Sequence, residues 1–223
     1  MLDTKERKLA RLTSGLPDRV SVRTYNLLIG AIILYGFLVN ALIVKEYSSF
    51  FLKMNPVLLI VGYFLCCLIG IFMTGSNSPI VSFIGYNLVV IPIGAVLSVC
   101  LPAYSAGDIL LAIVITGIVV ATMMLLSTIY PHIFSQMGRT LFFALLISTV
   151  SEIVAMIAGY IPSIFNWIFV VIFSLYIGYD WHKAQAYPKT IDNAVDSALD
   201  IYLDIINLFI RLLRIIGKGK RKN

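Results

Sequence analysis

No charged residue occurs between Lys53 and Asp108. A soluble domain exposes charged side chains at short intervals, whereas a helix that crosses lipid needs about 20 consecutive apolar residues. The composition of the whole chain is also that of a membrane protein, because 60% of its 223 residues are hydrophobic, 13% are charged and the mean hydropathy is +0.95. The sequence therefore predicts an all-α integral membrane protein in which the backbone satisfies its own hydrogen bonds.

Turn residues divide this apolar chain into seven predicted helices. Clear breaks are the polar cluster at 74–79, the segment 101–104, Pro131 with Gly138, and Gly159 with Pro162. The helices are expected at about 24–44, on either side of the turn at 74–79 for the second and third, and at about 109–130, 139–158, 163–180 and 192–216, with a polar loop at 181–190. We expect one seven-helix transmembrane domain over 24–216, a basic N-terminal segment at 1–23 and a basic tail at 217–223.

The net charge of +6 is concentrated at the two ends of the chain. Lys and Arg near the first helix predict a cytoplasmic N-terminus, and six crossings return the 181–190 loop to the same side. A seventh crossing would place the basic tail on the non-cytoplasmic side, whereas Lys and Arg favour the cytoplasmic side. We nevertheless expect the last helix to cross. Basic ends suit anionic lipid headgroups better than nucleic acid. The expected location is a bacterial plasma membrane, with several crossings.

The last predicted helix carries a narrow polar stripe. At about 100° per residue, its polar side chains fall within an arc of roughly 80° and apolar side chains cover the rest. The stripe consists of Asp196, Asp200, Asp204, Asn207, Arg211 and Arg214. A helix lying on the membrane surface has a broader polar face, so this one is expected to be buried nearly all round. Alternatively, the terminal members of the stripe reach the headgroup layers at the two membrane surfaces.

Two further carboxylates adjoin apolar runs. Asp180 follows the apolar segment 167–179, and Glu152 lies in the middle of the fifth predicted helix. A carboxylate in hydrocarbon costs several kcal/mol unless it is protonated, paired or beside water. Both are candidates for an ion path. The plainer alternatives are a loop residue at the membrane edge for Asp180 and a neutral acid bonded to a neighbouring helix for Glu152.

Motifs of soluble catalysis are missing from the sequence. It has no Gly-rich phosphate loop, no two histidines one helical turn apart and no nucleophile elbow. We therefore expect neither enzymatic activity nor a resident cofactor.

The C-terminal part of the chain resembles a known family. The tripeptide Gly178-Tyr179-Asp180, the segment Ser197-Ala198-Leu199-Asp200-Ile201-Tyr202-Leu203-Asp204-Ile205-Ile206-Asn207-Leu208-Phe209 and the closing Leu212-Leu213-Arg214-Ile215 are similar to the signature of the transmembrane Bax inhibitor motif family. The resemblance implies a seven-helix bundle with the last helix at its centre and a pH-sensitive calcium leak. It also implies that Asp180 and Asp204 share a proton as sensor and gate, with Asp200 as a further acidic position.

The sequence departs from this family in two places. Many members have an arginine near the end of the second helix that pairs with the aspartates, and residues 72–77 contain none. The position of Glu152 is commonly neutral and polar in the family. With one cation fewer, we expect the gating transition at a higher pH than in members that have the arginine.

Physical reasoning about the carboxylates agrees with the resemblance. Two carboxylates within a few ångströms cannot both ionise easily in a low dielectric, so they titrate as a pair. Calcium prefers hard oxygen ligands and is the natural ion to occupy the space between them, which makes Asp180 and Asp204 candidate calcium ligands. Candidates for the ion path are Asp200, Asp196, Asn207, Glu152 and Arg211.

Two other functions remain open. Asp180 and Asp204 superficially resemble the paired aspartates of intramembrane aspartyl proteases, although no glycine motif precedes Asp204. A proton-coupled secondary transporter also places carboxylates in the middle of the membrane, but paired broken helices are not evident.

Overall fold

The computed structural model describes residues 19–160 and 162–220, with side chains as far as Gly217. Within these ranges the chain forms eight α-helices and one short 3₁₀ turn, Leu101–Ala103, and an isolated bridge joins Arg19 to Thr190. The helices are α1 (Val22–Phe51), α2 (Pro56–Thr74), α3 (Pro79–Cys100), α4 (Ala106–Ile129), α5 (Pro131–Ser135), α6 (Gly138–Ile157), α7 (Ile164–Ala186) and α8 (Ile191–Lys220). The prediction of an all-α protein is confirmed.

The helix starts follow local sequence rules. The Ser21 hydroxyl accepts a hydrogen bond from the Thr24 amide at the start of α1, and Ser105 accepts one from Asp108 at the start of α4. Proline occupies the first position of α2, α3 and α5. A proline fits there because its missing N–H is one that a helix end leaves unpaired in any case.

Six of the described helices are long and apolar enough to cross a membrane: α1, α2, α3 with its 3₁₀ turn, α4, α6 and α7. Helix α8 is not among them, because charged side chains, mostly aspartates and arginines, interrupt every stretch of it that is long enough to cross a membrane. Its burial, however, agrees with the sequence analysis: apolar residues on all sides of the stripe are buried, including Leu199, Tyr202 and Leu213. The seventh crossing and the central position of α8 stay predictions.

Several predicted boundaries are wrong. Helix α1 continues past Lys45 and Glu46 to Phe51, because two charged residues at a membrane edge do not break a helix. The segment 181–190, predicted as a loop, is helical as far as Ala186, since the first proline after Asp180 is Pro188. The turn after α4 contains the short helix α5.

By its contacts the chain divides into two compact units. The described part of the first contains α1, α2, α3 and the beginning of α8 to Asp200. Here α3 packs against both α1 and α2. Gly70 of α2 and Gly85 of α3 let the backbones meet, since a Cβ on either would lie 2.6 Å from the other's carbonyl oxygen. Glycine permits this approach because it has no side chain.

Polar side chains attach the start of α8 to α1 and α3. The Tyr25 hydroxyl lies 3.0 Å from Ser197 Oγ and donates to the Asn193 carbonyl at 3.3 Å. Ser82 of α3 donates to Asp192 at 2.6 Å. All of these groups are buried, and hydrogen bonds to a charged group are the stronger kind, so this end of α8 is fixed by polar contacts as well as apolar packing.

The second unit contains α4, α5, α6, α7 and α8 from Ile201 onward. Its interior includes Ala112, Phe169, Ile177 and Leu208. Many apolar side chains of α4 and α6 are exposed, such as Leu110, Leu125, Ile147 and Val154. Exposed apolar residues on helices of this length are what lipid contact requires.

Candidate functional site

Asp180 lies inside α7, six residues before its end, and only 6% of its surface is exposed. The helical continuation places Lys183 one turn further on the same face, where its ammonium donates to Asp180 Oδ1 at 2.6 Å. The ammonium also lies 5.6 Å from the centre of the Tyr179 ring. A cation therefore accompanies Asp180, although the sequence analysis found none on the second helix.

The segment of α7 around Asp180 is fixed from outside the helix. Ser127 of α4 donates to the Gly178 carbonyl at 2.6 Å, and the Trp181 indole donates to the Thr128 hydroxyl at 3.2 Å. Gly178 contacts the ring of Phe134 so closely that a Cβ there would overlap it. These contacts hold α7 on both sides of Asp180 and so fix the backbone position from which its carboxylate extends.

Asp204 is on α8 and is equally buried, with 7% of its surface exposed. Tyr176, one turn before Asp180 on α7, interacts electrostatically with both Asp204 and Asp180. Both carboxylates thus belong to the second unit and act on one phenol. That the two aspartates share a proton stays a prediction.

Glu152 and Arg211 form an ion pair between α6 and α8. Both guanidinium Nη atoms donate to the carboxylate, at 2.5 and 2.7 Å, and one of them lies 3.4 Å from Asn166 Oδ1. The guanidinium carbon is 3.9 Å from the centre of the Phe169 ring. Exposure of the two side chains is 19% for Glu152 and 15% for Arg211. This bidentate geometry is the strongest form of the Arg–carboxylate contact, and it accounts for a charge in the middle of α6.

The other members of the predicted stripe are distributed along α8. Asp196 is buried and Asp200 half-buried, both in the part of α8 that belongs to the first unit. The Asn207 amide donates to the Leu203 carbonyl of its own helix at 2.7 Å. Arg214 is exposed. The stripe is therefore buried or half-buried as far as Arg211 and exposed at its last member.

Sequence reasoning missed Lys183 and Asp192. The polarity of the segment 181–190 predicts a loop around Lys183, although the absence of Gly and Pro between Tyr179 and Tyr187 indicates a continuing helix. Asp192 was treated only as a helix start, and no local signal predicts its contact with Ser82 on α3. The contact of Lys183 with Asp180 requires that α7 continue past Asp180, and the contact of Ser82 with Asp192 requires that α3 and α8 pack together.

No group of three or more His, Cys, Asp or Glu side chains that could hold a metal ion occurs in the described ranges, 19–160 and 162–220. A pair such as Asp180 and Asp204 could offer a cation at most four carboxylate oxygens. Calcium takes about six to eight oxygen ligands, so backbone carbonyls, hydroxyls or water would complete its coordination. The predicted basic segments at 1–18 and 221–223 lie outside the described residues.

The long apolar helices and the buried carboxylates define the class: this is an integral membrane protein that crosses the bilayer several times. A family model described as "Inhibitor of apoptosis-promoting Bax1" matches residues 18–221, and the chain belongs to this Bax inhibitor family. The resemblance noted in the sequence is thereby confirmed.

Two curated relatives, both named "Uncharacterized protein" and from two strains of Helicobacter pylori, are similar to part of the chain. One is 31% identical over 115 residues, which cover 50% of this chain and 48% of the relative. The other is 33% identical over 87 residues, covering 37% and 36%. The matched region thus spans about half or less of each relative, and neither name describes an activity.

Proposed function

We propose that this protein is a pH-sensitive calcium leak channel in which Asp180 and Asp204 form the sensor and gate. The observation that carries the proposal is the burial of these two carboxylates in one unit of a membrane protein. Buried ionisable groups inside a membrane bundle usually mark an ion or proton path. Membership of the Bax inhibitor family supports the same function.

The chemistry of the pair supports pH sensitivity. Carboxylates that interact strongly lose their protons in two separated steps that belong to the pair. Between these steps the site carries one proton and one negative charge, and removal of the proton adds a second charge between α7 and α8. That charge favours either separation of the helices or entry of a cation, which couples proton loss to ion passage.

Lys183 supplies a cation beside Asp180, since its ammonium donates to that carboxylate from the same helix. The second helix has no arginine in residues 72–77. We therefore keep the expectation of a higher gating pH than in members that have this arginine as a prediction.

Further polar groups are candidates for the path that leads to the pair. Asp200 and Asp196 precede Asp204 on α8 by one and two turns, Asn207 and Arg211 follow it, and Glu152 of α6 is paired with Arg211. A path of this kind needs groups that bind an ion weakly enough to release it. We place the protein in a bacterial plasma membrane with a cytoplasmic N-terminus, on the basis of its basic N-terminal segment.

Calcium flux into liposomes that hold the purified protein tests this function. Flux is measured from about pH 6 to 8 for the parent, Asp180→Asn and Asp204→Asn. The matched control is Asp108→Asn, since Asp108 is another buried aspartate, which accepts from Ser105 at the start of α4. We expect pH-dependent flux in the parent and the control, and a flattened or displaced profile in the other two variants.

Other outcomes separate the alternatives. Uphill accumulation of a solute driven by a pH gradient would identify a proton-coupled transporter. Absence of calcium flux at every pH would refute the channel and leave the family assignment intact. A profile displaced equally by Asp108→Asn would show that the effect is not specific to the pair.

A further inference from the structure

We propose that Lys183 is a tethered competitor: its ammonium occupies Asp180 and has to leave before a metal cation can bind at the Asp180–Asp204 pair. This inference rests on the proposed function, since it assumes that a cation visits these carboxylates. It adds a residue that sets how readily the site accepts the ion.

The geometry of the contact supports competition for one atom. The Lys183 ammonium lies 2.6 Å from Asp180 Oδ1, which is within hydrogen-bond distance and leaves no room for a metal ion between them. The Asp180 side chain is almost fully buried, whereas a quarter of the Lys183 side chain is exposed. The carboxylate therefore stays in place, and the lysine is the partner that can move.

Lysine is suited to this role because its charge is carried on a flexible four-carbon stem. The aromatic ring of Tyr179, 5.6 Å from the ammonium, guides the stem toward Asp180. Attachment to the same helix also gives the ammonium a high effective concentration at the carboxylate, as any short tether does. A free cation must overcome this local concentration before it can bind.

Charges on neighbouring elements are consistent with a site that attracts cations. On α7 Lys183 contacts both Asp180 and the ring of Tyr179, and Tyr176 interacts electrostatically with Asp180 and with Asp204 of α8. The contacts of α4 and α5 with this segment include Ser127, Thr128 and Phe134, which carry no charge. Moving the ammonium away from Asp180 removes a positive charge from Oδ1, where a divalent ion would then bind.

The test compares Lys183→Met with Lys183→Arg, which keeps the charge. The control Lys45→Met removes the same charge from an exposed pair with Glu46 on α1. At one fixed pH, about 7, calcium binding is followed as the rise in thermal unfolding temperature with added calcium, and transport as flux into liposomes. An ion pair that is partly exposed to solvent changes an apparent affinity by up to about fivefold. We therefore expect Lys183→Met to need up to about fivefold less calcium for half-saturation in both assays.

Two comparisons distinguish competition from a structural effect. In the Asp180→Asn background the additional change Lys183→Met should have no effect on calcium binding, because the contested oxygen is no longer a carboxylate. Lys183→Arg should bind calcium no more tightly than the parent, and Lys45→Met should match the parent. If Lys183→Met does not fold, Lys183→Gln removes the charge while keeping most of the side-chain length and replaces it in every assay.

Each result decides a different statement. Unchanged or weaker calcium binding in Lys183→Met, with a parent that conducts calcium, overturns the competitor role alone. Equal strengthening of binding in the Asp180→Asn background also overturns it. If neither the parent nor the Lys183 variants bind or pass calcium, the proposed function itself fails.

Discussion

The ion pair between Glu152 and Arg211 is expected to contribute strongly to the stability of the second unit. Both side chains are half-buried, with 19% and 15% of their surface exposed, and removal of one partner of a fully buried pair costs about 3–5 kcal/mol because the other charge is left uncompensated. Arg211 would keep Asn166 and the Phe169 ring after Glu152→Gln, which favours the lower end of this range. We expect each of Glu152→Gln and Arg211→Met to cost about 3 kcal/mol.

The double variant should behave differently from the sum of the two single variants. Replacing both charges removes the uncompensated ion, and neutral replacements of similar volume are often tolerated. We expect the double variant to lose less than either single one. The coupling between the two residues is then at least about 3 kcal/mol, at the upper end of the range for residues in contact.

Reversible unfolding in detergent micelles measures these free energies for the parent, both single variants and the double variant. The control cycle uses Lys45 and Glu46, an exposed pair at 3.4 Å with side chains 78% and 57% exposed. Such pairs contribute little, so no coupling should be measurable there. Additive losses at Glu152 and Arg211 would refute the view that the pair bears on the stability of the second unit.

The remaining predictions concern the first unit and its loop. Gly85→Ala should lower the free energy of unfolding by about 2 kcal/mol, because the new Cβ meets the Gly70 carbonyl; Gly62→Ala, with open space around it, should not. Ser82→Ala should cost about 2 kcal/mol through the lost hydrogen bond to Asp192, and an unchanged melting temperature would contradict this. Burial lowers the pKa of Lys189, so charge on it opposes folding below that pKa. Relative to Lys189→Met, the parent should gain stability as the pH rises toward about 10.5, and chemical unfolding at several pH values tests the direction.

Much of the helical plan is local and was predictable. Long apolar runs give helices because lipid offers the backbone no other partner, and turn residues separate them. The turn near Ser78 and the breaks near Pro131 and Gly159 lie close to where the structure places them. The burial of α8 was predictable as well, because its polar stripe is too narrow for a surface helix.

The errors arise where local rules give a weak signal. Lys45 and Glu46 mark the edge of an apolar run, but α1 continues because charged residues are compatible with helix. The residues after Asp180 are polar, but they contain no helix breaker before Pro188, so the loop assignment was wrong. Polarity indicates where water begins and does not by itself end a helix.

The amino-acid sequence alone predicts the class of protein, the approximate places of six apolar helices, the polar stripe of α8 and the family. The partners of the charged side chains depend on the tertiary structure. Glu152 meets Arg211 from 59 positions away, Ser82 meets Asp192 from 110 positions away, and Lys183 meets Asp180 only because α7 continues. Helix formation depends on neighbours within about four residues, whereas contacts between helices depend on how each helix is rotated and how deep each residue lies. That information is distributed over all the packed helices and cannot be read from any one of them.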